Sequence, residues 1–238
     1  MKRLAFFFCT VLAIHTSLFA LEPWQAVLSK MPLQTNVAEI TKTNAAAVIL
    51  GAFQENDVAK ALIFMPGATD EFYFFNRGNA KLTNSSPTLL DVITALTNQT
   101  LIQATFRSPF ILLHSTEDPL EPLFKIEDAK TFERIQKKRY APHVLYNDRD
   151  WDFILPTLTF RLDTKILPGK NSHDSNHFYR HTFAAHNLSG WEILEALALA
   201  NKTQFTIQKK KIVFAGDKRF RARPAVPKDF EPTKLLTQ

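Results

Sequence analysis

The chain reads as an α+β protein made of two related βαββ-type units, each laying a helix on a small mixed or antiparallel sheet. Three observations predict this. "TLLDVITALTNQTLIQATFRSPFILL" (88–113) and "SGWEILEALALANKTQFTIQKKKIVF" (189–214) both begin with apolar residues at helical spacing, pass into twofold alternation, and end in an apolar strand. Sliding the chain by 101 residues sets Asp91 on Glu192 and gives five identities, among them Ala95 with Ala196, Leu96 with Leu197 and Ile111 with Ile212. Aromatic stretches suited to half-buried strands precede both helices, "EFYFFN" (71–76) and "HFYRHTFAA" (177–185). One such unit encloses little core, so a pair sharing one would be the more stable arrangement.

Each element has its own local reason. "MKRLAFFFCTVLAIHTSLFA" joins Lys2 and Arg3 to an apolar run and then to small residues ending at Ala20, the layout of a secretory signal peptide cleaved near Ala20. The run 4–14 is too short to span ~30 Å of hydrocarbon. Taking these 20 residues from 238 leaves 218, and losing Lys2 and Arg3 takes the formal charge from +6 to +4. The single cysteine, Cys9, leaves with them, which excludes disulfides, zinc–thiolate sites and thiol chemistry from the mature chain. A periplasmic or secreted product with no integral span is expected.

Residues 21–57 read as a helical segment with Trp24, Val27 and Leu28 facing a core. The first unit, 58–118, opens with "KALIFMPGATDEFYFF", a strand, a Pro-Gly turn and a second strand. Its helix places Leu89, Leu90, Ile93 and Leu96 on one face, with Ser85 and Ser86 before Pro87 as the N-cap region. Ile102, Ala104 and Phe106 then alternate, and Ser108-Pro109 turns the hairpin. The connector, 119–150, carries a charged helix over 127–139 with Ala129, Phe132 and Ile135 on one face. In the second unit, 151–216, residues 155–166 read as a strand with Leu158, Phe160 and Leu162 on one side. Ser189 caps a helix bearing Trp191, Leu194, Leu197 and Ala198; Phe205 and Ile207 alternate behind it, and three lysines occupy the hairpin. A basic, proline-containing tail, 217–238, closes the chain.

The stretch "HTFAAHNLSGWEILEALALANKTQFTIQKKKIVF" (181–214) resembles the secretin/TonB short N-terminal domain of exported bacterial proteins. The shared features are a strand ending in a polar turn (183–187), a helix with a Glu-Ala-Leu core (191–200) and a closing hairpin (204–214). About 35 residues carry the resemblance, and 88–113 follows it only in outline. No secretin pore or TonB receptor follows, a departure from that family's usual setting. The resemblance implies non-catalytic protein contacts in the periplasm.

For chemistry, the densest pattern is "HDSNHFYRHTFAAH". His173, Asp174, His177 and His181 are residue types that hold zinc or a similar metal, and His173, His177 and His181 would share a helical face. In a strand, positions four apart lie about 13 Å from each other, too far for one tetrahedral ion, and His186 would face the other way. A metal-binding protein or metal-dependent hydrolase is the alternative that this cluster offers. "DRDWD" lacks the glycine and glutamate of a calcium loop and reads as an acidic turn anchored by Trp151 and Phe153. Asp70 and Glu71 are adjacent and would point to opposite faces of a strand. No G-x-S-x-G, P-loop, H-E-x-x-H or G-x-G-x-x-G is present. No cofactor is expected.

Positive charge gathers in Lys209, Lys210, Lys211, Lys218, Arg219, Arg221 and Arg223, a segment that could attract an anionic polymer or simply be a solvated turn and tail. Export and the lack of any recognition module argue against nucleic acid. The leading expectation is a non-catalytic interaction or scaffold protein of the cell envelope with an envelope protein partner.

Overall fold

The computed structural model describes residues 21–41, 43–65, 80–100, 102–114, 119–168 and 181–219. The expected signal peptide, the strand expected at 71–76, Asp70 and Glu71 lie outside them. Two short helices, α1 (Pro23–Leu28) and α2 (Ala45–Ala52), flank strand β1 (Glu39–Ile40), which pairs antiparallel with β3 (Ala80–Lys81). Residues 21–57 are therefore only partly helical, because an irregular stretch containing Pro32 separates the two helices. Leu28 is fully buried as expected, with Trp24 and Val27 packed beside it.

A five-stranded mixed sheet forms the centre. Its strands are β2 (Ala61–Phe64), β4 (Gln103–Arg107), β5 (Phe110–His114), β7 (Arg139–Arg149) and β9 (His181–Ser189), in the order β4-β5-β2-β9-β7. β2 runs parallel to β5 and antiparallel to β9. It is an unbroken apolar run, Ala-Leu-Ile-Phe, because both faces of the sheet are covered. Ala61 and Ile63 join one core while Leu62 and Phe64 join the other, as the pleat requires. Helices α1, α2 and α3 (Leu89–Gln99) cover the second face.

The first face is covered by α4 (Ala129–Lys137), α5 (Trp151–Leu162) and α6 (Gly190–Ala200). Beyond α6 lies a four-stranded sheet of β6 (Phe124–Ile126), β10 (Thr203–Gln208), β11 (Lys211–Gly216) and β8 (Lys165–Pro168), in the order β6-β10-β11-β8. Phe205, Ile207, Ile212 and Phe214 turn inward from it, so α6 is packed against both sheets and is buried nearly all round. The fold is α+β, as expected. In both expected units a helix is followed by an antiparallel hairpin. β9, however, pairs with β2 and β7 and not with its own hairpin, so the central sheet takes strands from both stretches.

Both helices that precede hairpins begin with a capping box. The Ser189 hydroxyl accepts the Glu192 N–H at 3.1 Å while the Glu192 carboxylate accepts the Ser189 N–H at 2.7 Å. In α3 the cap is Thr88, not the expected Ser85 or Ser86: its hydroxyl accepts the Asp91 N–H at 3.3 Å and Asp91 accepts its N–H at 2.7 Å. Pro87 stands just outside the helix, which puts the first hydroxyl able to reach the N3 amide at 88. The alignment of Asp91 with Glu192 is thus the third helical position of two capping boxes, a match that helix-start chemistry alone accounts for.

The largest correction falls on 155–166. This stretch is the greater part of α5, followed by β8, and not a strand. Asp150 caps the helix by accepting the Phe153 N–H at 3.1 Å, and Trp151, Ile154, Leu158 and Leu162 bury a helical stripe. The apparent twofold pattern arose because Phe160, at 81% exposure, is an outward-facing phenyl and not a core residue. Phe153 is likewise exposed and lies beneath the Arg149 guanidinium with its ring edge-on to Tyr146, so the buried Trp151 is the deeper anchor of that turn. In α4, Ile135 and Thr131 are buried and Phe132 packs against the core, whereas Ala129 faces solvent.

Candidate functional site

Three chain segments meet at an open groove of about 940 Å³. They are the start of α4, the turn between β10 and β11, and the end of α5 running into β8. Lys209 and Lys210 form the two-residue turn left when Gln208 pairs with Lys211. The Lys210 N–H reaches the Thr131 hydroxyl at 3.4 Å, and its carbonyl accepts the Lys165 N–H at 3.2 Å, which fixes the turn on both neighbours. Lys210 holds φ at +59°, in the left-handed region that favours glycine or asparagine. A long cationic side chain is thus presented at a position where the backbone alone would favour its absence.

The groove is strongly basic. Lys130, Arg134, Lys165, Lys209 and Lys210 line it against two carboxylates, Asp128 and Asp163. The carboxylates are already engaged by the fold. Asp128 caps α4, and the Thr131 hydroxyl and backbone N–H hold its carboxyl below the usual value, with Lys209 and Lys130 adding to the effect. Asp163 caps the C-terminus of α5 in the left-handed conformation and accepts from Arg134 at 3.0 Å. Arg134 also donates to the Asp163 carbonyl at 2.7 Å and to the Thr164 hydroxyl at 2.7 Å, so its guanidinium fork is committed to tying α4 to α5. The four lysine ammoniums make no ion pair or side-chain hydrogen bond among the described residues. The exposed Phe160 ring lies on the same groove.

Of the residues singled out for metal, only His181 lies among the described ones; His173, Asp174 and His177 do not. His181 is fully buried in β9. Its Nδ1 is 3.1 Å from the Arg149 carbonyl and its Nε2 is 3.2 Å from the Asn201 side-chain amide, with Trp151 edge-on at 4.4 Å. Both ring nitrogens serve the core, as expected of an imidazole locked among β7, β9 and the end of α6. His186 points to the opposite face, where its Nε2 lies 2.9 Å from the Ala59 carbonyl. Among the described residues, no group of three or more histidines, cysteines or acids is placed to hold a metal ion.

The basic segment divides as well. Lys209 and Lys210 line the groove, while Arg219 is turned back on the fold: its Nε and Nη2 bind the buried Asp217 carboxylate at 2.9 and 2.6 Å, and Nη2 also donates to the Glu121 carbonyl at 2.6 Å. Arg221 and Arg223 lie outside the described residues. Comparison of the chain with protein-family models, with curated proteins and with solved structures finds no match.

Sequence reasoning missed Lys130, Lys165 and Phe160 as partners of the lysine turn. A correct helical reading of 151–162 would have exposed Phe160, since it falls off the Trp151–Ile154–Leu158–Leu162 stripe. It also missed two ion pairs beneath the central sheet, Lys60 with Glu192 at 2.6 Å and Arg107 with Glu195 at 3.0 Å. These carboxyls respond oppositely. Burial raises both, but Lys60 and the Ser189 N–H and hydroxyl outweigh it for Glu192, which is lowered; for Glu195 burial outweighs Arg107, and it is raised.

Proposed function

We propose that the protein is an exported, non-catalytic interaction protein of the cell envelope, and that the basic groove is the surface with which it holds an anionic partner. One observation carries this: four lysines from three separate segments converge on an open groove without ion pairs among the described residues. Like charges brought together repel, and native surfaces usually intersperse the two signs. A convergent set kept at the cost of a left-handed lysine fits a surface that meets negative charge from outside. The leader-like first 20 residues support export, and the likeness of 181–214 to a periplasmic contact domain supports a binding role.

The test is retention of the full-length mature protein on an anionic resin. Lys209→Glu with Lys210→Glu is compared with Lys30→Glu with Lys81→Glu, which changes the net charge equally elsewhere on the surface. The groove variant is expected to elute at clearly lower salt than the control. Equal shifts in the two variants would reduce the groove to ordinary surface charge and reject the reading.

A further inference from the structure

We infer that the anionic partner is a polysaccharide, one sugar ring lying on Phe160 and its acidic substituents reaching the lysines. The inference rests on the groove being the contact surface, as proposed above. Phe160 is the first ground. At 81% exposure it is the most exposed large apolar residue described, and it sits in the last turn of α5 on the groove wall, with no ring packed on it among the described residues. An exposed phenyl on a groove lined by lysines offers a stacking surface of the kind that takes the apolar C–H face of a sugar, with the cations of the same groove available to its acidic substituents.

The kind of cation is the second ground. Planar, two-point recognition of a phosphate or carboxylate uses the arginine fork, and the groove's one arginine has its fork occupied by Asp163 and Thr164. What remains are lysines, mobile point charges that register charge density and tolerate variable spacing. Such a set suits a repeating polymer whose acidic groups recur along a chain. Openness is the third: the groove is not closed over, so a chain can pass through it where a small ligand would be left largely in solvent. An acidic peptide would be expected to use a strand edge or a row of apolar pockets, and the groove offers one aromatic plate instead. Single-stranded nucleic acid shares the stacking and charge chemistry, and therefore enters the test as a competitor.

Binding of the full mature chain would be measured by fluorescence anisotropy at low salt to three labelled probes of equal charge: an oligouronate, an oligoglutamate and oligothymidine. Variants would be Phe160→Ala, Phe160→Trp and the Lys209→Glu, Lys210→Glu pair, with melting curves to establish that the exposed position leaves the fold intact. The oligouronate is expected to bind tightest. Phe160→Ala is expected to weaken it about tenfold while leaving oligoglutamate unchanged, and Phe160→Trp to retain it. Tighter binding of oligoglutamate or oligothymidine, or equal loss with every probe in Phe160→Ala, would overturn the polysaccharide assignment. If the lysine pair changes binding to none of the probes, the groove itself is not the contact surface and the broader reading fails with it.

Discussion

α3 and α6 both start at a capping box and both lead into a hairpin, yet they stand in opposite surroundings. α3 lies on the outside of the central sheet: Leu89, Val92, Ile93 and Leu96 are buried, and Thr94, Asn98 and Gln99 meet water. α6 lies between two sheets, and from Ile193 to Ala200 every residue is buried, including Glu195. The hairpins differ in the same way. The Ser108-Pro109 turn is tied to the sheet through the Pro109 carbonyl, which accepts the Lys60 N–H at 2.7 Å. The Lys209-Lys210 turn projects its side chains into the groove. The difference teaches that local sequence grammar selects helix and hairpin, while the number of layers packed on them decides which positions are free to carry function.

The sharpest way to break the comparison is a charge at matched positions. Leu199 in α6 corresponds to Asn98 in α3 at the 101-residue offset. Leu199→Asp is expected to lower unfolding free energy by about 4 kcal/mol, since it buries a charge without a partner. Asn98→Asp should stay within about 0.5 kcal/mol of the parent. Urea titration of the two variants measures this, and similar losses would mean that α6 is not enclosed.

Gly190 gives the next effect. A Cβ there would sit 2.5 Å from the Ile135 carbonyl oxygen and 2.8 Å from a Leu162 methyl, because the start of α6 crosses close to α4 and α5. Its counterpart Leu89 carries a whole side chain without difficulty. Gly190→Ala is expected to cost about 2 kcal/mol by forcing that crossing apart. A neutral result in the same urea titration would show that the helices can separate freely.

The capping boxes should behave alike despite the different surroundings. Ser189→Ala and Thr88→Ala are each expected to cost about 1 kcal/mol, read from thermal melts. A loss in only one would show that the shared Asp91–Glu192 position does not mark equivalent helix starts.

Glu192 and Glu195 sharpen the contrast through pH. The folded value of Glu192 is lowered, so its charge stabilises above the unfolded value and that contribution disappears as pH falls. The folded value of Glu195 is raised, so its contribution is full below the unfolded value and disappears as pH rises. Below about pH 4.5 the parent's advantage over Glu192→Gln should fall away as pH drops, whereas above about pH 4.5 its advantage over Glu195→Gln should shrink as pH rises. Parallel curves for the two variants would contradict the opposed environments.

Much of the fold was legible from short-range rules. The alternation of Phe205 and Ile207, the stripe of Leu194 and Leu197, and the Ser189 cap follow from spacing and hydrogen-bonding chemistry within one element. What was illegible depended on which layer covers which face. Phe160 and Leu162 look equivalent at twofold spacing, whereas the helical period of α5 places Leu162 on the buried stripe and leaves Phe160, 81% exposed, off it. His181 stands out in the sequence because its neighbours there are histidines; among the described residues its neighbours in space include Trp151, Asn201 and the Arg149 carbonyl. The groove joins Lys130, Lys165 and Lys210 across 80 positions of chain, and no local pattern announces that meeting.

The most direct test of the account is Lys210→Gly, measured for both thermal stability and affinity for the anionic resin. Glycine relieves the left-handed backbone, so the variant should be more stable by about 0.5 kcal/mol while eluting at lower salt than the parent. A fold made more stable, with retention falling further than in a Lys30→Gln control that loses the same charge elsewhere, would show that the lysine is kept for binding. Unchanged retention, or a loss of stability, would contradict the claim that this turn is the functional difference between the two hairpins.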